Sequence, residues 1–533
     1  LIESGLGEDL SVSKAISLAK VSAKGVFNIF WGLAISSVIS AVGVMLVAGI
    51  LTESEYGLVA KALTGVNLIM IFRDWGIDWA TIKYTAQYRS EEKESKVKSV
   101  LATIVFFEIL LGFILSIISF FLSGFLANIL DRPGIVPLIQ IASVTILADA
   151  LLKAAQAVFT GYERMEFHSI TSIVYSVLKT SLMTLLVVLG FGTLGATVGA
   201  TLSYLISGVI AILLLYVAIY KNLQKKDYGK LEIWVTLKTL FRYGLPLSIS
   251  AILTGFLAQF YNFLIAIYVT DVNFGNLQVA LNFAFIVTFF VMPVITVLLP
   301  AFSKINSQEE RETLGNVFQF SVKYASLLIV PIAFAVIALS QPGVAAIFGD
   351  KYSFSPLYLS LYVVTFIYTA FGFLSIENLI KSQGKTDFNL KLTIVTSAVG
   401  LSINLVLIPT FGILGLLATN IISGVPSLVI ALWWIKKNYA ATIHWASSVK
   451  ILLASAFATV LTYVVTSQIG LNSWIVLILG AFIFLIAYLT AAPLIGAVNK
   501  ADVKNFREIL RGFGPLAPLF RLPLLFIERL ARA

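Results

Sequence analysis

Ionisable side chains are rare in the long apolar stretches of this chain, and those few are the groups that could do chemistry. Arg73, Asp74 and Asp78 follow the second stretch, Glu108 lies in the third, and Asp149 and Lys153 lie in the fourth. Lys179 lies in the fifth and Glu377 in the tenth, with Lys381 four residues on. A charge in hydrocarbon costs several kcal/mol unless it is paired or faces a cavity. Asp149 and Lys153 are four apart and share a helical face, with Gln156 close to the same stripe. Lys179 stands about ten residues into its stretch, near mid-bilayer by helical rise. Asn262, Asn282 and Asn404 add uncharged polar groups in the second half. Two readings compete. In one, these groups are structural: Asp149 pairs with Lys153, Lys179 and Glu108 meet neighbouring helices, and Arg73 and Asp74 snorkel to the interface. In the other they line a water-filled cavity. Arg73, Lys153, Lys179, Asn262 and Asn404 would then bind a polar substrate, while Asp74, Glu108, Asp149 and Glu377 would couple an ion.

Soluble catalytic chemistry has little to work with. There is no cysteine, and His168 and His444 are the only histidines, so neither thiol chemistry nor a His-based metal site is expected. Gly384-Lys385-Thr386 looks like the end of a phosphate-binding loop, but Leu379 occupies the first glycine position and no strand precedes it. No zinc-protease motif or nucleophile elbow occurs. We expect a conduit or carrier, not an enzyme, with no cofactor, no metal and no nucleic-acid partner.

The elements that must position these groups are membrane-spanning helices. The chain is 59% hydrophobic and 12% charged, against about 25% charged in soluble domains. Apolar segments of about 20 residues, enough to cross the bilayer as helix, recur from Val26 to Val498. We expect an all-α polytopic membrane protein of about fourteen such spans. The second is short and is expected to run on through Trp75–Ile82. Connections alternate in charge. One side holds only Lys61, Arg132 and Lys351, and Lys153 and Lys179 lie within spans. All other Lys and Arg fall on the opposite side, which sets both termini in the cytoplasm by the positive-inside rule. Residues 1–25 are polar and interfacial. The tail, residues 499–533, carries seven cations and Pro515, Pro518 and Pro523, and reads as amphipathic pieces on the cytoplasmic leaflet.

The spans are duplicated. Thr52-Glu-Ser-Glu-Tyr-Gly57 recurs 218 residues later as Thr270-Asp-Val-Asn-Phe-Gly275. Phe191-Gly-Thr-Leu-Gly195 recurs as Phe411-Gly-Ile-Leu-Gly415, and Arg164-Met-Glu-Phe167 as Lys385-Thr-Asp-Phe388. Order and offset are kept. This gives two pseudo-symmetric six-helix bundles, residues 26–220 and 245–435, joined by a basic cytoplasmic linker over 221–244. Two extra C-terminal helices occupy 449–498. Both halves have the same orientation, so their symmetry axis should run along the membrane normal. The repeated turn at Thr52 reads as a tight external link between spans, not as a site.

These features resemble the multidrug/oligosaccharidyl-lipid/polysaccharide (MOP) exporter superfamily. The resemblance rests on fourteen spans, duplicated halves, the Glu-Tyr-Gly turn, Asp74-x-Gly76 and Tyr243-Gly-Leu-Pro246, and covers Phe27 to Ile435. Within the superfamily the chain looks most like polysaccharide-biosynthesis, O-antigen-type flippases. The resemblance implies two bundles around a central cavity and alternating access. It implies a polyprenyl-(pyro)phosphate-linked oligosaccharide as cargo, flipped from the cytoplasmic to the outer leaflet of the cell membrane. Glycan-assembly enzymes are possible partners beside the lipid bilayer. In the related peptidoglycan-precursor flippases, spans thirteen and fourteen form a groove for the lipid tail, and an arginine cluster draws on spans one, two and eight. Here span eight has no cation and span one only Lys24 at its mouth. That departure argues against a peptidoglycan precursor and leaves Arg73, Lys153 and Lys179 as phosphate binders. The alternative is a cation-coupled multidrug exporter of the same superfamily. A third class, a scaffold or polysaccharide polymerase, is disfavoured because the longest outer connection, around Ser340–Ser355, is short.

Overall fold

The computed structural model describes residues 31–73, 75–224, 231–303, 305, 310–504 and 521–530. The N-terminal segment, Asp74 and much of the tail lie outside them. The described residues are almost all helical, with no strand. In hydrocarbon every backbone amide must be satisfied within its own segment, and helices do this.

The chain divides into two compact units, Leu1–Gly275 and Asn276–Ala533. The first contains α1 (Trp31–Ile50), α2 (Glu53–Met70), α3 (Ile77–Ser90), α4 (Glu94–Ile129), α5 (Val136–Gly161), α6 (Met165–Leu186), α7 (Gly192–Leu215) and α8 (Ile233–Tyr268). Helix α9 (Asp271–Phe283) begins there. The second unit contains α10 (Phe285–Ser303), α11 (Arg311–Phe348), α12 (Ser355–Val363), α13 (Phe373–Ser382), α14 (Thr386–Phe411), α15 (Ile413–Ile422) and α16 (Gly424–Tyr439). It ends with α17 (Trp445–Ser467), α18 (Ser473–Leu494) and α19 (Arg521–Leu530).

By length and apolarity, 11 helices among the described residues can cross a membrane, or 12 if the pair bent by 58° at Gly372 is one span. By length and apolarity alone this does not reach the fourteen expected from sequence. Met165–Tyr220 registers as a single 56-residue run, yet it folds back at Gly190–Gly192, and α6 and α7 lie antiparallel. A Cβ on Gly199 would stand 2.7 Å from the Met183 backbone. Ile252–Tyr268 is a shorter apolar helix. The second span does not run on through Trp75–Ile82. It ends in a 3₁₀ turn at Ile71–Arg73, and Gly76 (φ 79°) redirects the chain before α3 starts.

Packing in the first unit uses small residues, as expected where lipid removes the hydrophobic drive between helices. α1 lays Gly32, Ser36 and Ser40 against Ser169, Ser172 and Ser176 of α6. Ser36 Oγ donates to Ser172 O at 3.0 Å, and Thr180 Oγ1 to Ile39 O at 3.0 Å. α5 is the most buried span and packs against α4 and α7. In the second unit α17 and α18 pack on α11. After α18, Lys323 grips Asp502 at 2.6 and 2.8 Å, while Asp502 and Asn499 exchange backbone–side-chain hydrogen bonds. This anchors the start of the tail.

Local backbone conformation recurs with the sequence repeat. Gly192 (φ 51°, ψ −132°) and Gly412 (φ 57°, ψ −128°) turn α6 into α7 and α14 into α15 with the same dihedrals. That region is closed to L side chains, so both copies of the Phe-Gly-x-Leu-Gly motif place glycine there. Glu163 (φ 61°) and Gly384 (φ 69°) form a second matched pair, preceding Arg164 and Lys385.

Candidate functional site

The break after α2 sets the geometry of the site. It delivers Arg73 into the bundle, where the side chain is 5% exposed. Arg73 Nη1 donates to Glu108 Oε2 of α4 at 2.6 Å. Its Nε lies 3.5 Å from Asp149 Oδ2 of α5, and its Nη2 3.8 Å from Asp78 Oδ2 in the first turn of α3. Glu108 and Asp149 are 1% and 7% exposed. One guanidinium thus faces three carboxylates from three helices. Arg suits this because its planar fork serves several acceptors and holds its charge. Asp78 also sits where the positive end of the α3 dipole favours an anion.

Asp149 therefore pairs with Arg73, not with Lys153. Lys153 is exposed on α5, close enough to His168 to interact with it electrostatically, and forms no ion pair among the described residues. Lys179 stands in mid-α6 with its ammonium 5.8 Å from the Tyr175 ring centroid and no carboxylate within ion-pair range among the described residues. The Tyr175 ring lies 4.4 Å from that of Tyr204 of α7, centroid to centroid and tilted by 42°, and both interact electrostatically with Asp149. Within the apolar spans of the first unit, Arg73 thus gathers carboxylates, whereas Lys153 and Lys179 have no acidic partner among the described residues.

The other sequence candidates are dispersed. Asn262 is half-buried on α8. Asn282 donates to its own helix at Gln278 O, 2.7 Å. Asn404 is fully buried on α14 with neither amide atom hydrogen-bonded among the described residues. Glu377 forms an exposed pair with Lys381 at 2.5 Å on α13, a solvated i,i+4 contact worth little. Asp74 lies outside the described residues.

A second charged cluster was not singled out from sequence. Lys61 of α2 is 1% exposed, and its ammonium meets Asp271 Oδ1 at 2.9 Å and Val269 O at 2.7 Å. Arg132 Nε meets Asp271 Oδ2 at 2.8 Å. The two repeated turns touch here. A Cβ on Gly57 would collide with the Asp271 carbonyl, and one on Gly275 with the Glu53 carbonyl. The contact is reciprocal, since each glycine meets the residue four before the other. Each turn is also a helix cap: Thr52 Oγ1 accepts from Glu55 N and Thr270 Oγ1 from Asn273 N. The signal was present as a lone cation inside the second span and an acid in the matching turn, on the cation-poor side. A double-mutant cycle should show the coupling. Asp271→Ala alone leaves Lys61 buried without its acid and is expected to destabilise by roughly 3 kcal/mol. Asp271→Ala with Lys61→Met should recover most of that in the detergent melting midpoint. Gly57→Ala should cost about 1–3 kcal/mol by overpacking.

The family motifs also converge. A Cβ on Gly244, in Tyr243-Gly-Leu-Pro246, would collide with the Gly76 carbonyl of Asp74-x-Gly76. The Lys83 ammonium lies 3.8 Å from the Tyr243 ring centroid.

Helical spans with an ion-paired interior and duplicated hairpins define a polytopic membrane protein with the fold of MOP-superfamily transporters. Its structure matches lipid II flippase MurJ in an inward closed conformation at TM-score 0.68 and 16% identity, over 87% of this chain and 97% of that one. It matches an inward-facing MATE-family multidrug resistance transporter of the MOP superfamily at TM-score 0.59 and 18% identity, over 76% and 94%. The chain belongs to the polysaccharide biosynthesis protein family, whose model matches residues 46–356. The lipid II flippase MurJ model matches residues 237–489. The probable low-salt glycan biosynthesis flippase Agl15 of Haloferax volcanii is 21% identical over 278 residues, 51% of this chain and 58% of that protein. An uncharacterised membrane protein of Methanocaldococcus jannaschii is 21% identical over 300 residues, 54% and 57%. The match thus spans little more than half the length of these curated relatives.

Proposed function

We propose that the protein is a flippase for a polyprenyl-(pyro)phosphate-linked oligosaccharide, moving it from the cytoplasmic to the outer leaflet by alternating access. The observation that carries this reading is the division of charge in the first unit. Arg73 is taken up by carboxylates, whereas Lys153 and Lys179 have no acidic partner among the described residues. A pyrophosphate entering a low-dielectric site needs cations, and these two lysines lie within membrane-spanning helices of the first unit. The similarity to glycan and lipid II flippases supports the same cargo class. Asn262 is assigned to the sugars, and both termini to the cytoplasm from the charge asymmetry of the connections. Glycan-assembly enzymes that build the cargo are the expected partners.

We assign coupling to Glu108 and Asp149. Proton or cation uptake by this carboxylate set would loosen the hold on Arg73 and with it the α2–α3 break. The membrane potential supplies a second drive, about 2.3 kcal/mol per charge per 100 mV for an anion leaving an inside-negative compartment. The test is reconstitution in liposomes with a lipid-linked oligosaccharide and an outer-leaflet glycan probe. Appearance of glycan only with protein is the expected result. Efflux of cationic drugs without lipid flipping would favour a multidrug exporter instead. If coupling runs through the carboxylates, Glu108→Gln should flatten the dependence of rate on an imposed pH or sodium gradient while leaving the dependence on voltage.

A further inference from the structure

A crevice of about 300 Å³ lies between α4 and α7. Leu101, Ala102 and Leu215 lie at its base, and Phe106, Tyr216 and Tyr220 stand around it. Two features of sequence create it. Ala102 is small where the α4 stripe faces α7, and α7 widens into a π turn over Tyr216–Tyr220. Such turns inside α-helices are often found at functional sites. The crevice is open at the side, where Phe106 and Tyr216 are 41% and 46% exposed. Trp234 sits beside Phe106, ring centroids 6.4 Å apart, and is 72% exposed. Tyr216, Tyr220 and Trp234 thus form the kind of aromatic group that settles at a membrane–water boundary.

The crevice has a charged mouth. Lys98 precedes Leu101 and Ala102 by one helical turn and so continues the same stripe of α4. Lys221 follows Tyr220 at the end of the π turn and is exposed. The short helical piece Lys221–Gln224 packs against α4, and its Leu223 shares a core with Leu101 and Leu215. Both lysines therefore stand at one end of the crevice, and neither forms an ion pair among the described residues.

We propose that this crevice binds one chain of an anionic phospholipid, whose phosphate is held by Lys98 and Lys221. An apolar slot with a cationic rim is complementary to a lipid tail beneath a phosphate. A bilayer phospholipid fits better than a long polyprenyl carrier, because the slot is laterally open and lies at the small end of the ligand-pocket range. The site is separate from the transport groups and does not depend on the identity of the cargo. Its occupant would tie α4, which carries Glu108, to α7, which carries Tyr204.

Native mass spectrometry of the full chain, purified from mixed micelles of phosphatidylglycerol and phosphatidylcholine, tests this. A basic residue near a membrane surface contributes roughly fivefold in affinity for anionic lipid, so the pair should favour phosphatidylglycerol by about 25-fold. The Lys98→Gln/Lys221→Gln variant should retain both lipids equally. Ala102→Trp, which fills the slot, should lose the retained lipid. Undiminished phosphatidylglycerol preference in the lysine variant would overturn the proposal, as would lipid retention by Ala102→Trp. Displacement of phosphatidylglycerol by one equivalent of polyprenyl phosphate would also overturn it, by giving the slot to the carrier lipid.

Discussion

Arg73→Ala should destabilise the protein more than any other single substitution in the first unit. The change removes the one guanidinium that Glu108, Asp149 and Asp78 share and leaves acids behind in a setting where Glu108 is 1% exposed. Breaking a buried pair by deleting one partner costs about 3–5 kcal/mol, and here three acids face the same guanidinium. The expected result is a large fall in the melting midpoint in detergent, with loss of the folded peak on gel filtration. Arg73→Lys should fall between, because an ammonium keeps the charge but cannot reach three acceptors with a planar fork. Removing charge from the acids should rescue: Arg73→Met with Glu108→Gln and Asp149→Asn should melt closer to wild type than Arg73→Ala. A wild-type midpoint for Arg73→Ala would show that the cluster does not hold α2, α4 and α5 together.

Lys153→Ala/Lys179→Ala should do the opposite, leaving stability nearly intact and removing transport. Neither lysine holds a carboxylate among the described residues, so no buried acid is stranded. A hydrogen bond to a charged group contributes about 1.5–3 kcal/mol. Two lost phosphate contacts should therefore reduce flipping by roughly two orders of magnitude or more at limiting substrate. Lys153→Arg/Lys179→Arg should retain part of the activity. Full flipping by the alanine double variant in the liposome assay would remove both lysines from the site, and a parallel fall in melting midpoint would assign them to structure.

Arg73, Glu108 and Asp149 stood out because charge is scarce in apolar stretches. Their pairing was hidden, because each lies on a different helix and the i,i+4 spacing pointed Asp149 to Lys153. An i,i+4 pair is worth only a few tenths of a kcal/mol. A buried guanidinium that would otherwise lack partners outweighs it by an order of magnitude, so Asp149 turns to Arg73. The same competition explains Lys61. Its position beside a repeated turn identified a landmark, while its contact with Asp271 depends on two turns far apart in the chain meeting at Gly57 and Gly275.

Apolar length and the need to satisfy every backbone amide already restrict this chain to a bundle of membrane-spanning helices, while the MOP fold came from the resemblance of its motifs. The sequence also carries the repeated motifs, and the two glycines they align, Gly192 and Gly412, take matching dihedrals. Which charges neutralise one another depends on how the helices pack. Where α2 breaks was also a tertiary result: the apolar run reads on past Trp75, but the left-handed Gly76 stops it. That stop carries Arg73 inward to its acids. Hydropathy reports whether a segment prefers lipid, whereas pairing depends on distances of a few ångströms between helices that hydropathy does not encode.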